Sequence, residues 1–153
     1  MAITIRDGEE RDFTRVMTLV RELAEFEKSG DMVKNSAEQM RDEAAYFRLL
    51  VAEEGSDIIG YAVYYIAYYT WIGKSLYLDD LYVRPEYRGR KVGSMLLRGV
   101  LKRARDAGCK RVRWQVLDWN ERAIGFYRKR GAVISGEWLN CDLDEKGLDK
   151  LLA

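Results

Sequence analysis

Asp79 and Asp80 stand side by side in an apolar-rich run, Leu76-Tyr77-Leu78-Asp79-Asp80-Leu81-Tyr82-Val83. Neighbouring carboxylates can hold a cationic amine, and one of them, directly or through water, can take a proton from it. An alkylamine has a pKa near ~10.4, so it arrives at neutral pH protonated and non-nucleophilic. After Arg84-Pro85 the chain turns basic at Arg88-Gly89-Arg90-Lys91-Val92-Gly93-Ser94, where a helix opens. A helix opening carries unpaired N–H groups and the positive end of the helix dipole, which suits a phosphate. Two glycines in that opening let an anion approach the backbone, so the stretch is a candidate pyrophosphate site. The strand before it can hold the rest of a long anionic cofactor.

The rest of the composition narrows the chemistry. Histidine is absent, which excludes Ser-His and Cys-His catalysis and leaves carboxylate, tyrosine, cysteine, lysine or water to move protons. Two cysteines, Cys109 and Cys141, make neither a disulfide framework nor a metal spacing, so no metal is expected. With 153 residues, 48% of them hydrophobic, residues 1–153 fit a single domain with a sizeable core. No run approaches the ~20 apolar residues of a membrane span, and the N-terminus lacks the layout of a signal peptide. A reduced, cytoplasmic protein with no membrane partner is expected.

The net charge of +1 conceals a division: residues 84–130 hold 15 Lys/Arg and 4 Asp/Glu, the remainder 11 and 21. Such asymmetry signals a polyanion partner or simply solvated basic helix faces. Nucleic acid is disfavoured for want of a basic recognition helix with a docking motif. A phosphorylated cofactor beside a cationic substrate accounts for both signs.

The pattern of elements must position these groups. Ile3-Thr4-Ile5 reads as a strand, and Phe13, Val16, Met17, Val20, Leu23 and Ala24 keep helical spacing over roughly 9–27. Ser36 opens a second helix with Gln39 three residues on, as in a capping box. Residues 47–53 and 58–68 form a hairpin around Glu54-Gly55-Ser56-Asp57, and 76–83 is the next strand. Val92 to Ala104 is an amphipathic helix stopped by Gly108. Val112, Trp114 and Val116 alternate as a strand, Asn120 caps a helix closed by Gly131, Ala132 to Leu143 is a strand or hairpin, and the tail from Asp144 is helical. The order indicates an α/β fold with a mixed sheet.

Arg88 to Gly93 resembles the pyrophosphate motif Arg/Gln-x-x-Gly-x-Gly/Ala of the GCN5-related N-acetyltransferase (GNAT) superfamily, with Lys91 in place of the middle glycine. The strings WIGKSLYLDDLYV, EYRGRKVGS and WNERAIGFYRKRGA are similar to the diamine (spermidine/spermine) acetyltransferases and their thialysine-acetylating relatives, from ELAEFE at 22–27 to EW at 137–138. The resemblance implies the GNAT acyl-CoA N-acyltransferase fold, a mostly antiparallel sheet splayed at its central strands and flanked by helices. It also implies acetyl-CoA as co-substrate, a homodimer, and direct acetyl transfer to the primary amine of a small cationic acceptor of the polyamine or diamine type. Thialysine or another amino-acid-like amine is the alternative acceptor, and a non-catalytic acyl-CoA sensor the alternative class.

Roles follow by the same resemblance. Asp79 occupies the general-base and amine-binding position, usually glutamate, and Tyr127 that of the acid protonating the departing thiolate. Backbone N–H groups of Leu81, Tyr82 and Val83 are expected to pair with the pantetheine, one of them polarising the thioester carbonyl. Arg88, Gly89, Arg90, Lys91, Val92, Gly93 and Ser94 are expected to hold the diphosphate, and Asn120 to bind the cofactor or serve only as an N-cap. Phe26 and Glu27 resemble the subgroup's Tyr-Glu acceptor pair, with Trp71, Asp80 and Glu137 as further acceptor contacts. Strand alternation sends Asp79 and Asp80 to opposite faces, so one lines the pocket; a plain alternative has both at a bulge, bonded to backbone. Phe126 and Tyr127 likewise fit ordinary core aromatics. Lys91 is harmless if it points outward, and unfavourable if its position requires positive φ.

Overall fold

The computed structural model describes residues 2–153, which divide at Gln115/Val116 into two compact units. The first carries a five-stranded sheet in the order β1 (Ile3–Asp7), β2 (Arg48–Glu54), β3 (Asp57–Tyr69), β4 (Gly73–Val83) and β5 (Val112–Arg113). The first three pairings are antiparallel and β4–β5 is parallel. Two helices lie on opposite faces. These are α1 (Phe13–Phe26) and α3 (Val92–Asp106); a short helix α2 (Ala37–Asp42) lies between α1 and β2 in the chain.

The β2 run Leu49-Leu50-Val51-Ala52 is buried throughout because its alternating side chains meet a helix on either side. Leu49 and Val51 join Phe13, Val16, Met17, Leu19, Ile58, Tyr61 and Tyr82 in the core beneath α1. Leu50 faces α3, so closely that a Cβ on Gly99 would come within 3.0 Å of it. Val92, Leu96, Leu97, Val100 and Ala104 bury the apolar stripe of α3. Arg6 anchors the start of α1 with two hydrogen bonds to Asp12, 2.8 and 3.0 Å, and a third to Glu53 on β2 at 2.8 Å.

Local signals place several element ends as expected. Ser36 accepts from the Gln39 N–H at 3.1 Å at the start of α2, and Gly108 takes φ +75 after α3. Two expectations fail. The strand expected through Val116 stops at Arg113, and residues 132–143 carry no strand. Alternation marks the face a strand would bury; it does not supply the ladder of backbone hydrogen bonds that makes one.

The second unit contains α4 (Glu121–Lys129) and α5 (Glu145–Leu152). Asn120 caps α4, its Oδ1 accepting from the Ala123 N–H at 3.2 Å, and Asp144 caps α5 through the Gly147 N–H at 2.9 Å.

Candidate active site

The β3–β4 ladder contains an irregularity that decides where the two aspartates point. Val63 lies opposite Asp80, and the next β3 residue, Tyr64, lies opposite Leu78, so Asp79 is an extra residue with no partner. A bulge of this kind resets the pleat. Leu78 belongs to the α3 face, and Tyr82, paired with Tyr61, belongs to the α1 face. Counting back from Tyr82 puts Asp80 on the α1 face; counting forward from Leu78 puts Asp79 there too. This corrects the expectation of opposite faces: both carboxylates share the face of α1 because the inserted residue cancels the alternation.

Glu27 joins them. It caps the C-terminus of α1, and Lys28 after it takes φ +61, the left-handed turn that ends the helix. Its carboxyl lies above the usual range, first through burial and then through the charge of Asp79. Burial also raises Asp79. Asp80 is pushed up to about 6 by burial and then by Asp79, against the opposing effect of a hydrogen bond from Tyr61. That bond runs from the Tyr61 hydroxyl to Asp80 Oδ2 at 2.9 Å, and the phenol, fully buried, lies far above its ordinary pKa. The result is three carboxylates on one face, one of them titrating near neutrality.

Next to them along the same face, the rings of Tyr65 and Tyr77 stack with centroids 5.4 Å apart. Both phenols are raised by burial and then by the charge of Asp79. Neither tyrosine, nor Tyr61, was singled out from the sequence. The signal that would have found them, the β3–β4 register, is not a local property of the chain.

On its other side β4 pairs with β5 only at Leu76 and Tyr77. Among the described residues of this unit, the outer edge from Leu78 to Val83 therefore has no strand partner, and the sheet is splayed there. Leu81, Tyr82 and Val83 lie on that open edge. The chain then passes a 3-10 turn at Pro85–Tyr87 into the basic opening of α3. Arg88 is extended, Gly89 takes φ +82, and Lys91 takes φ +64 and ψ +18 immediately before helical Val92. Left-handed residues next to right-handed ones turn successive N–H groups toward one concavity, an anion nest, here continuous with the helix terminus. Lys91 does occupy a position of positive φ, the less favourable of the two expectations. Of the basic side chains, Arg90 is tied to Glu54 at 2.7 Å and lies over Tyr87, whereas Arg88 lies over the ring of Phe26, 5.7 Å from its centroid. Glu22 braces the turn against α1, accepting from the Tyr82 hydroxyl at 3.1 Å and pairing with Arg84 at 3.5 Å.

The structure thus brings Glu27, Asp79 and Asp80 together and lays Phe26 beneath Arg88. It does not bring Trp71 to them: that residue is exposed in the β3–β4 turn, and the six residues from Gly73 to Asp79 extend roughly 20 Å. Asn120, Tyr127 and Glu137 belong to the second unit, where Tyr127 lies in α4 edge-on to Phe126 and Glu137 in the irregular segment.

A splayed sheet with a basic nest at one end of its open edge, and carboxylates on one face, defines an α/β protein suited to an extended anionic ligand beside a cationic one. The profile of the acetyltransferase (GNAT) family matches residues 10–132, and the chain belongs to that family, whose members use acetyl-CoA as co-substrate. Thialysine N-epsilon-acetyltransferase of Bos taurus is 42% identical over 142 residues, covering 85% of this chain and 84% of the relative. Spermidine/spermine N(1)-acetyltransferase-like protein 1 of Homo sapiens is 33% identical over 140 residues, 84% of this chain but 20% of that protein. An integron cassette protein from the mobile metagenome of V. cholerae shares the fold at TM-score 0.78 and 22% identity, over 99% of this chain and 98% of the other. The protein is an acetyltransferase acting on small amines. No helix among the described residues is long and apolar enough to cross a membrane.

Proposed function

We propose that this enzyme transfers the acetyl group of acetyl-CoA to the side-chain amine of thialysine or a similar small amino acid. The first reading from the sequence, a polyamine or diamine acceptor, gives way to its alternative because the thialysine relatives are the more similar, 42% against 33%. The observation that carries the reaction type is the bulge at Asp79, which gathers Asp79, Asp80 and Glu27 on one face beside the open edge of β4. Acetyl-CoA supplies an activated acyl group; every other requirement falls to the chain.

Asp79 and Glu27 attract the ammonium. The coupled Asp79–Asp80 pair receives the proton, a shared role that a pKa of about 6 at Asp80 favours because the carboxyl is mostly ionised yet still basic at neutral pH. The amides of Leu81 to Val83 bind the carrier along the open edge, and those of residues 88–94 hold its diphosphate. The nest at Gly89 and Lys91 fits that group. Asn120 as a cofactor ligand and Tyr127 as proton donor to the thiolate rest on the family resemblance. So do the homodimer, the cytoplasmic location and the unity of the two units as one catalytic domain; for the last, the family profile running across the boundary at 115/116 is support.

An acceptor screen that follows free thiol tests the reading. Thialysine and lysine should be acetylated faster than spermidine, spermine and short diamines. Faster turnover of spermidine would restore the polyamine reading, and binding of acetyl-CoA without thiol release on any amine would make the protein a sensor. Tyr127→Phe should lower kcat more than it weakens acetyl-CoA binding, and an unchanged kcat would remove its acid role.

A further inference from the structure

Beyond the stacked tyrosines the α1 face of the sheet changes sign. Tyr77 is opposite Arg113 in the β4–β5 ladder, and the Arg111 carbonyl accepts from the Leu76 N–H at 2.9 Å, so Arg111 and Arg113 are two residues apart on a strand-like segment and share a face. That face is Tyr77's, the α1 side, whereas Val112 is paired with Leu76 toward α3. Both guanidiniums lie over one ring, Tyr69 on β3, at 4.6 and 5.1 Å from its centroid. Tyr69 is on the same face, four residues beyond Tyr65, and its phenol influences both Tyr65 and Tyr77. Neither arginine has a carboxylate partner among the described residues, and Arg111 Nε is buried without a hydrogen-bond acceptor. Elsewhere in this unit Arg6, Arg84, Arg90 and Arg103 are each paired with an acid. Two cations held side by side on an aromatic ring, neither neutralised by an acid, form a receptor for an anion.

The face therefore reads in order: carboxylates at Glu27, Asp79 and Asp80, an aromatic stretch at Tyr65 and Tyr77, then the arginine pair on Tyr69. We propose that Arg113, with Arg111, reads the α-carboxylate of the acceptor, so that the site selects a molecule with an amine at one end and a carboxylate at the other. Asp79 and Arg113 are roughly 8 Å apart at the backbone, two residues along β4 and one strand across. The guanidinium leans further off over Tyr69. A lysine-length molecule, lengthened by a charge-assisted hydrogen bond of about 3 Å at each end, reaches further than the backbone separation and leaves room for that lean. A diamine would place its second cation against the two guanidiniums and be rejected by them. This subsite rests on the proposed function and supplies what that reading lacks, a reason for preferring an amino acid to a polyamine.

The test compares matched acceptors that differ only in the carboxylate: L-lysine with cadaverine, and thialysine with its decarboxylated diamine. In the parent enzyme kcat/KM should favour the amino acid in each pair. Arg113→Gln should reduce that preference about tenfold, mainly through KM for the amino acid, with kcat/KM for the diamine unchanged or raised. Arg113→Glu should invert it, and Arg111→Gln should act in the same direction. Equal loss on both members of a pair, or an unchanged ratio, overturns the proposal, since a merely structural arginine lowers both alike. Calorimetric binding of L-lysine to the parent and to Arg113→Gln gives a readout independent of turnover. Arg113-dependent lysine binding with no acetylation of any amine would sink the transfer reading and keep the subsite; acetylation with Arg113-independent binding would do the reverse.

Discussion

The bulge in β4 and the opening of α3 that follows it are specified by different parts of the chemistry. At the bulge, side chains matter: Asp79, Asp80, Glu27 and Tyr61 create a local field whose effect is a carboxyl titrating near 6. At the opening of α3, backbone conformation matters: Gly89 and Lys91 hold left-handed angles that gather N–H groups, while Arg90 is already committed to Glu54. One end should be sensitive to isosteric changes of charge, the other to changes of allowed φ. Substitutions that swap these sensitivities would show the division to be false.

The largest effect is expected at the carboxylate pair. Asp80→Asn preserves shape and leaves Tyr61 an oxygen to bond, yet disables the pair proposed to receive the proton, so kcat should fall by about 10²–10⁴-fold. The parent's kcat/KM profile should have an acid limb near 6, which should vanish with it. Stability should move the other way. The folded carboxyl titrates at about 6 against a usual 3.8, so the native state keeps its proton longer than the unfolded chain. Below 3.8 the group is neutral in both states; between those values stability falls as pH rises, and above 6 the full penalty is present. Asp80→Asn should therefore gain about 2–3 kcal/mol at pH 7, and nothing near pH 3. Denaturant titrations at both pH values check the sign. Equal stabilities at pH 7 would mean Asp80 is not penalised by burial.

Gly89→Val comes next and probes the other end. A Cβ there meets nothing within 4 Å, so the harm is conformational: φ +82 is open to glycine and unfavourable to a β-branched residue. Acetyl-CoA affinity should fall about tenfold or more, equivalent to 1–2 kcal/mol of backbone strain, with the acid limb of the pH profile unmoved. A variant that binds acetyl-CoA normally would remove the nest from the binding site. Tyr61→Phe is subtler. The Tyr61 hydroxyl lowers the Asp80 pKa against burial, so deleting it should carry the acid limb to higher pH while leaving acetyl-CoA affinity unchanged. A limb that stays in place would uncouple Tyr61 from the reaction.

The same division explains what could be read from the sequence. The turn at 88–94 is contiguous, and a basic glycine-bearing helix opening follows from neighbouring residues alone; so do the caps at Ser36 and Asn120. The carboxylates were visible as residues but not as a cluster. Their common face depends on a register shift against β3, and the Tyr61–Asp80 bond joins residues 19 apart in sequence. Periodicity reports which faces a regular strand would bury, and a single extra residue inverts that report downstream. Arg111 and Arg113 were counted in the basic segment without a partner because the parallel β4–β5 pairing that aligns them with Tyr77 is non-local. Alternation at Val112, Trp114 and Val116 promised more strand than the two residues paired with Leu76 and Tyr77 of β4 provide.

Lys91 is where charge and conformation coincide in one residue, and separating them gives the smallest effect. At φ +64 a lysine suffers the same left-handed strain as any residue with a Cβ, while its ammonium contributes only an exposed charge. Lys91→Gly should relieve the strain and raise unfolding free energy by about 1 kcal/mol, whereas Lys91→Ala keeps the strain and should be neutral. Both lose the same charge, so acetyl-CoA affinity should fall by no more than about fivefold in each, a surface ion pair's worth, and less at high salt. A small and equal loss in both is the result expected if the amide concavity is what grips the anion. A larger and equal loss in both would mean that the ammonium, and not the backbone beneath it, is the ligand at this position.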